Sequence, residues 1–468
     1  MVTQTREKNT KIIPSLQELP LLGSAITHSG AGRFDLYRRI ARECGDIGLF
    51  HLGPYRVIQI VSSDLVHSLL VEHANDFDKG DIQHKAFRSI TGNGLFINEG
   101  EAHRRQRRLM SPYFQPRHIA SYAQTMVHEA EEAQQRWRDG EPLDMDREMM
   151  RLSMSIAGKV LFDADVFSEA DELGAAVWTL AQHIIYLLAH PFAPPLNWPT
   201  ARNRKVKHAQ RVLDNKMRQM ITEREAHPDQ GNDILSVLLQ ARDEDGTRMS
   251  NQQLRTECLT LFNAGHDTSA TALTWSWYLL ASHPEAYRTM QQEIDTVLQG
   301  RSPTHADLAR LPFTFQVFKE TMRLYPPAYI LSRTALHNTE LCGYPIHKGD
   351  IIFLGIYAMH HRPDYFPDPE TFRPERFAPE QEKNLPRSAY IPFGGGPRIC
   401  IGNHFALMEA RLLLATLAQR VTFEPVPGQS LELDPNKSLT LRTKNTIKMI
   451  VHRRSASKIP CTERFTSE

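Results

Sequence analysis

Phe393-Gly394-Gly395-Gly396-Pro397-Arg398-Ile399-Cys400-Ile401-Gly402 is the stretch on which the reading of this chain turns. One cysteine follows a glycine-rich loop and opens what the residue pattern predicts as a long helix, from Ile401 to about Arg420. A thiolate at a helix start is favoured by the dipole and by free backbone N–H groups. The glycines remove side-chain bulk, so a large flat ligand can lie against the loop. A single sulfur with no second Cys or His nearby is a poor structural zinc site, which needs four ligands. It suits an axial ligand to an iron whose equatorial bonds come from a porphyrin. Read alone, a cysteine at a helix start is equally well a small buried hydrophobe.

The rest of the chain bounds the choice. Its 468 residues, 41% of them hydrophobic, suffice for one large domain or two ordinary ones. With 55 basic and 54 acidic residues the formal net charge is +1, so no global field argues for nucleic acid. The five cysteines (Cys44, Cys258, Cys342, Cys400 and Cys461) are scattered, odd in number and without CxxC spacing. That argues against a disulfide framework and fits a reducing compartment. The N-terminal stretch has no long apolar run, so neither a signal peptide nor a membrane anchor is expected there. Leu259 to Leu280 is apolar, but Asn263, His266 and Asp267 interrupt it, which favours a buried core helix over a membrane span. A soluble, cytoplasmic, monomeric protein is the expectation.

No internal repeat stands out. Gly48 to Val61 alternates around a Gly-Pro turn and predicts early strands. Helical patterns dominate from about Ser63 to Gln299, with turns at Gly92-Asn93-Gly94, Ala193-Pro194-Pro195 and Asp245-Gly246-Thr247. Helix starts are marked by Ser250 with Gln253 three residues on, and by Pro284-Glu285. Short strands return between Tyr329 and Leu354. The prolines from Arg362 to Phe377 forbid regular helix, and the aromatics among them favour an ordered meander. Two more strand-like runs follow the Cys400 helix, Val421 to Glu424 and Leu439 to Val451.

Inside the apolar helix lies Ala264-Gly265-His266-Asp267-Thr268. An acid and a hydroxyl at a helix interior are locally unfavourable, and the glycine costs roughly 1 kcal/mol relative to Ala. Such a concentration of costs predicts a functional distortion, with a loosened turn and room for a small ligand. A plain Ser/Thr-rich core helix with a kink is the structural alternative.

The pattern Phe-x-x-Gly-x-Arg-x-Cys-x-Gly at 393–402 resembles the haem-ligand loop of the cytochromes P450, and the resemblance runs from about Pro14 to about His452. It implies a mainly α fold with small β-sheets, the cytochrome P450 fold, in a single domain over 14–452, with a flexible segment at 1–13 and a flexible tail at 453–468. It implies haem b (iron protoporphyrin IX), with Cys400 as the iron ligand and Phe393, Arg398 and Gly402 in the cofactor loop. Asp267-Thr268 resembles the acid–alcohol pair of P450s, which implies proton delivery by Asp267, stabilisation of bound oxygen by Thr268, and space over the iron at Ala264. His266 is then a passenger facing away from the haem.

Glu320-Thr321-Met322-Arg323 with Arg376 would by default be a surface ion pair at helical spacing plus an unrelated cation. With Leu324-Tyr325-Pro326-Pro327 following, it resembles the buried Glu-Arg-Arg triad of P450s, whose role is structural. His103-Arg104-Arg105-Gln106-Arg107-Arg108 is mostly a solvated helix face. P450s usually place a Trp where His103 stands and a basic residue where Arg107 stands, both bonding a haem propionate. Imidazole also donates a hydrogen bond, but its charge is pH-sensitive. Arg398 and Arg333 are the other propionate candidates. Arg104, Arg105 and Arg108 suggest a basic patch for an acidic electron carrier, a ferredoxin or flavodoxin with its reductase.

By position alone, Leu95, Phe96, Leu261, Phe262, Ala264, Ala328, Tyr329, Ile330, Leu331 and Leu439 are substrate-pocket candidates, and plain core packing is the alternative for each. The resemblance implies a monooxygenase that inserts one atom of O2 into a hydrophobic small molecule, with electrons from NAD(P)H through separate redox partners. No flavin or iron–sulfur domain is seen in the sequence. A terpenoid is favoured, because Phe77-Asp78-Lys79-Gly80 followed by Gly92-Asn93-Gly94-Leu95 resembles bacterial terpene-oxidising members; a fatty acid is next. A P450-fold peroxygenase or isomerase, and a haem-binding protein without catalysis, stay open.

Overall fold

A computed structural model of the chain describes residues 11–17, 32–166, 169–190, 193–227, 233–243, 246–434 and 436–454. Helices form most of it, and three small sheets sit at the sequence ends. The strands are β1 (Ile47–Leu52), β2 (Tyr55–Ile60), β3 (Phe77–Asp78), β4 (Pro142–Asp144), β5 (Leu331–Ala335), β6 (Thr339–Leu341), β7 (Tyr344–Ile346), β8 (Ile351–Leu354), β9 (Val421–Pro425) and β10 (Lys448–Arg453). The first sheet has the order β1-β2-β8-β5-β3, the second β4-β10-β9, the third β6-β7. Among these strands β2 and β8 pair in parallel, Val57 opposite Ile351, and an isolated parallel bridge joins Ser15 to Leu49. The expected early hairpin is there, with Leu52 opposite Tyr55 across the Gly-Pro turn.

The core is built around Asn251–Ser282, a helix of 32 residues. It packs along Met145–Phe162 and touches the Cys-loop helix Asn403–Ala418 and the helix Pro312–Leu324. Trp275 and Trp277 are fully buried on it. Its start is capped as expected, with Ser250 Oγ accepting the Gln253 N–H at 3.2 Å.

Three expectations need correction. The helix is continuous α through 264–268, with no loosened turn. Its polar side chains satisfy the carbonyls four residues back instead of breaking the ladder. Thr268 Oγ1 donates to the Ala264 carbonyl at 2.8 Å, Thr271 Oγ1 to that of Asp267 at 2.8 Å, and His266 Nδ1 lies 2.5 Å from that of Phe262. The run from Leu439 is strand only from Lys448 onward. Its earlier part is bolted to the long helix through Trp275 Nε1 to the Leu441 carbonyl at 2.8 Å, and one bridge joins Leu433 to Thr443. The ordered chain also reaches past both expected ends. Lys11 N–H bonds the Gly343 carbonyl, Ile13 is buried, Arg453 ends β10, and Arg454 pairs with Asp295 at 2.6 Å. Residues 1–10 and 455–468, with Cys461, lie outside the described residues, as does Asp245 of one expected turn.

One helix among the described residues, Ala170–Ala189, is long and apolar enough to cross a membrane by length and composition alone. It packs on Ala201–Ala226, Gly80–Thr91 and Met145–Phe162.

Candidate active site

The Cys400 loop is held from behind. Gly394 and Gly396 have φ of 71° and 63°, a region that favours glycine. A Cβ on Gly396 would collide with the Leu70 carbonyl, which belongs to a wide π-type turn, Ser68–Glu72. That turn was not foreseen from sequence. The Cys400 N–H bonds the Phe393 carbonyl at 3.0 Å and closes the loop. Three residues on, the helix Asn403–Ala418 begins, slightly later than expected. Cys400 lies deep in the protein, yet its side chain faces open space. Burial raises the thiol pKa, while the Gly402 N–H and Arg107 act in the opposite direction. Arg107 Nη1 donates to the Ile399 carbonyl at 2.8 Å, so it serves the loop directly.

A second exposed spot lies inside the protein. Between its end residues, the long helix is exposed at Ala264 and Thr268, one turn apart on one face. Nothing stands within 4 Å of a Cβ built on Gly265. Asp267 is turned elsewhere. Its carboxylate accepts from Arg442 Nη2 at 2.8 Å and Thr440 Oγ1 at 3.0 Å. Arg442 also donates to Asp146 at 3.0 Å. Asp267 and Thr268 are sequence neighbours that diverge around the helix, and no bond joins their side chains. His266 is fully buried with Nε2 unpartnered among the described residues.

A group of buried and half-buried cations stands near the Cys400 loop. Arg333 is deep, bonds the Ser332 carbonyl at 2.8 Å, and has a pKa lowered to about 10, mainly by burial. Arg398, also lowered to about 10 by burial, meets Glu99, but its Nη1 is buried without a partner. Lys79 is buried with no carboxylate against its ammonium among the described residues; Nζ lies 3.7 Å from the Phe96 ring centroid. Burial, then Arg333 and Arg398, hold its pKa well below the ordinary value. His103 is buried beside them and depressed to about 4 by burial, Arg107 and Lys79. Lys79 was missed in the sequence, because a lysine after a short strand reads as a surface residue. Glu99 and Asp78 offset part of this positive charge, but an ammonium and a guanidinium nitrogen left unpaired are costly, and a dianionic ligand with two carboxylates would satisfy them. The residues present therefore fit haem: a sulfur facing open space, cations for the propionates, and a helix face without bulk.

The sequence profile described as Cytochrome P450 matches residues 13–451. The chain belongs to the cytochrome P450 family. It is 36% identical over 399 residues to cyclooctatin synthase of Streptomyces melanosporofaciens, covering 85% of this chain and 87% of that protein. It is 33% identical over 386 residues to pentalenene oxygenase of Streptomyces avermitilis, covering 81% and 85%. A crystal structure of the haem domain of cytochrome P450DA superposes with a TM-score of 0.86 at 25% identity, over 96% of this chain and 99% of that one. The chain is thus an oxidoreductase of the cytochrome P450 monooxygenase type, a family that implies haem.

The remaining sequence candidates fall into place around this P450 site. Glu320 and Arg323 are both fully buried and doubly bonded at 2.7 Å. Arg323 also donates to the carbonyls of His360, Pro369 and Thr371, and Arg373 N–H donates to Glu320. Arg376 lies 3.3 Å from Glu320 and donates to the Asp368 carbonyl at 2.7 Å. The triad thereby fastens the meander to the helix Pro312–Leu324. Of the pocket candidates, Phe96 and Ala264 are exposed, and Ala328, Ile330, Leu331 and Leu439 are partly exposed. Leu95, Leu261, Phe262 and Tyr329 are packed in the core; Phe262 lies against Phe162 and Tyr329 against Phe34. The arginine run is not a free patch. Arg104 pairs with Glu101, and Arg105 and Arg108 share Asp243. A further pair missed in sequence is Glu409, fully buried on the Cys-loop helix, accepting from Ser269 Oγ at 2.5 Å.

Proposed function

We propose that this P450 inserts one oxygen atom from O2 into a C–H or C=C bond of an apolar, terpenoid-like small molecule. When bound, the haem supplies the activation of dioxygen. Cys400 holds the group through its sulfur, and Lys79, Arg333, Arg398 and His103 take its carboxylates. Ala264 leaves room on the face of the long helix. Thr268 Oγ1, on that face, would donate into this space once it releases the Ala264 carbonyl, and the Asp267 carboxylate would pass protons to that region once it gives up a bond from Arg442 or Thr440. Phe96, Ala328, Ile330, Leu331 and Leu439 offer an apolar wall. Electrons come from NAD(P)H through a ferredoxin or flavodoxin and its reductase, in the cytoplasm.

The observation that carries the reading is the exposure of Ala264 and Thr268 on an otherwise buried helix, in a chain that also keeps a deep thiol facing open space. The terpenoid preference rests on the relatives named for cyclooctatin and pentalenene. The test is turnover of terpene hydrocarbons by the haem-loaded protein with NAD(P)H, ferredoxin and reductase under isotope-labelled dioxygen. One labelled oxygen atom per product is expected. Thr268→Ala should lower product per electron consumed by roughly tenfold or more. Turnover supported by peroxide alone, or label arriving only from water, would contradict the reading.

A further inference from the structure

The turn at Gly92-Asn93-Gly94-Leu95 has no part in the chemistry above, yet it is tightly seated. Gly92 has φ of 76°, and a Cβ there would come within 3.1 Å of Thr256 Oγ1. One on Gly94 would collide with Thr260 Oγ1 and stand 3.4 Å from Glu257 Oε2. The backbone of the turn therefore lies against one turn of the long helix, where only glycine fits. Glu257 emerges from that helix between the two threonines and is fully buried. Its Oε2 accepts the Leu95 N–H at 2.8 Å, and its Oε1 is buried with no partner among the described residues. Burial lifts its pKa to about 7, with the Leu95 N–H pulling the other way.

A buried carboxyl held by one backbone donor is an expensive way to pack a helix face, where Leu would serve better. Costs of that kind mark positions whose geometry is used. Leu95 itself is packed in the core, and Phe96 next to it is 45% exposed. The Phe96 ring sits over the Lys79 ammonium and 5.0 Å from Phe87. At its other end the loop is closed by Asn98 Nδ2, which donates to the Asn93 carbonyl at 2.8 Å.

We propose that Glu257 is a positioning residue for the substrate: its carboxyl pins the 92–98 loop to the long helix, so that Phe96 stands as a fixed wall beside the haem crevice. The proposal rests on the reading of that crevice as an apolar substrate site. Its test uses the haem-loaded protein, with amide hydrogen exchange of the peptide spanning Leu95 and binding of two probes, a cyclic diterpene alcohol and palmitic acid, followed by the Soret band. Glu257→Leu should exchange the Leu95 amide at least tenfold faster. It should bind either probe at least fivefold more weakly, with haem content and the carbon monoxide spectrum unchanged. Glu257→Gln, whose amide oxygen still accepts, should stay within twofold of wild type on both. If Glu257→Leu does not fold, Gly94→Ala lifts the same loop against Thr260 and should reproduce the fast exchange. Exchange at Leu95 as slow as wild type in both variants overturns the latch, as does fast exchange with unweakened probe binding. Failure of both probes to bind wild type would instead count against the apolar-substrate reading, with the exchange result still deciding the latch.

Discussion

Two groups of arginines, Arg323 with Arg376 and Arg333 with Arg398, differ in what they touch. Arg323 meets Glu320 and three carbonyls, those of His360 and of Pro369 and Thr371 in the meander, and Arg376 adds Glu320 and the Asp368 carbonyl. Arg333 and Arg398 have one neighbouring carbonyl and one carboxylate between them, with an unpartnered nitrogen, and Lys79 beside them has no acid. In the first group both arginines face Glu320 and donate to backbone carbonyls, and of their buried nitrogens Arg376 Nε alone, 3.3 Å from Glu320, lacks a hydrogen bond among the described residues. The second has Glu99 against Arg398 and Asp78 near both arginines, yet it leaves one Arg398 nitrogen and the Lys79 ammonium without an acid partner among the described residues. Burial alone does not separate structure from function here; the accounting of partners does.

The largest effect should come from breaking the satisfied group. Arg323→Leu takes the doubly bonded cation from buried Glu320, leaving it only the Arg373 N–H and the longer Arg376 contact, and strips three backbone carbonyls of their donor. A loss of about 3–5 kcal/mol is expected, read as a collapse in folded yield and thermal midpoint of the haem-free and haem-loaded protein alike. The same class of change in the other group should behave in the opposite way. Lys79→Met removes a buried cation with no acid, so the haem-free protein should hold its stability or gain. Haem should then leave roughly tenfold faster or more, as measured by transfer to an acceptor protein. If Lys79→Met destabilises both forms equally, the distinction between the groups fails.

Much of this was legible in the sequence, and for local reasons. The Cys loop, the Glu320–Arg323 spacing and the early hairpin are each written within about ten residues, where spacing and turn chemistry act directly. What escaped is long-range. Lys79 is buried because the Cys loop and β5 close around it. Arg442 finds Asp267 across 175 residues, and Ser269 finds Glu409 across 140. The loosened turn expected at 264–268 is absent: the α ladder runs unbroken, and hydroxyls and an imidazole lie against the carbonyls four residues back, which residue type alone does not reveal. Leu95 and Phe96 are adjacent, but one is core and the other exposed, a division made by Glu257.

A smaller effect should appear in the pH dependence of the unsatisfied group. With its pKa lowered to about 4, folded His103 stays neutral where an unfolded histidine takes up a proton. The unfolded state then binds more protons, so the haem-free protein should lose stability as pH falls from about 6.5 toward 4. His103→Asn should flatten that slope. In the haem-loaded protein the slope should be shallower in wild type, because propionates favour the charged imidazole. Equal slopes in wild type and variant would remove His103 from the group.

The most direct measurement is the absorption of the reduced protein under carbon monoxide, in wild type and in Cys400→Ala. Ligation of the haem iron by Cys400 predicts a strongly red-shifted thiolate-type Soret band in wild type and its loss in the variant. No such band in wild type, or the same band in Cys400→Ala, would contradict it.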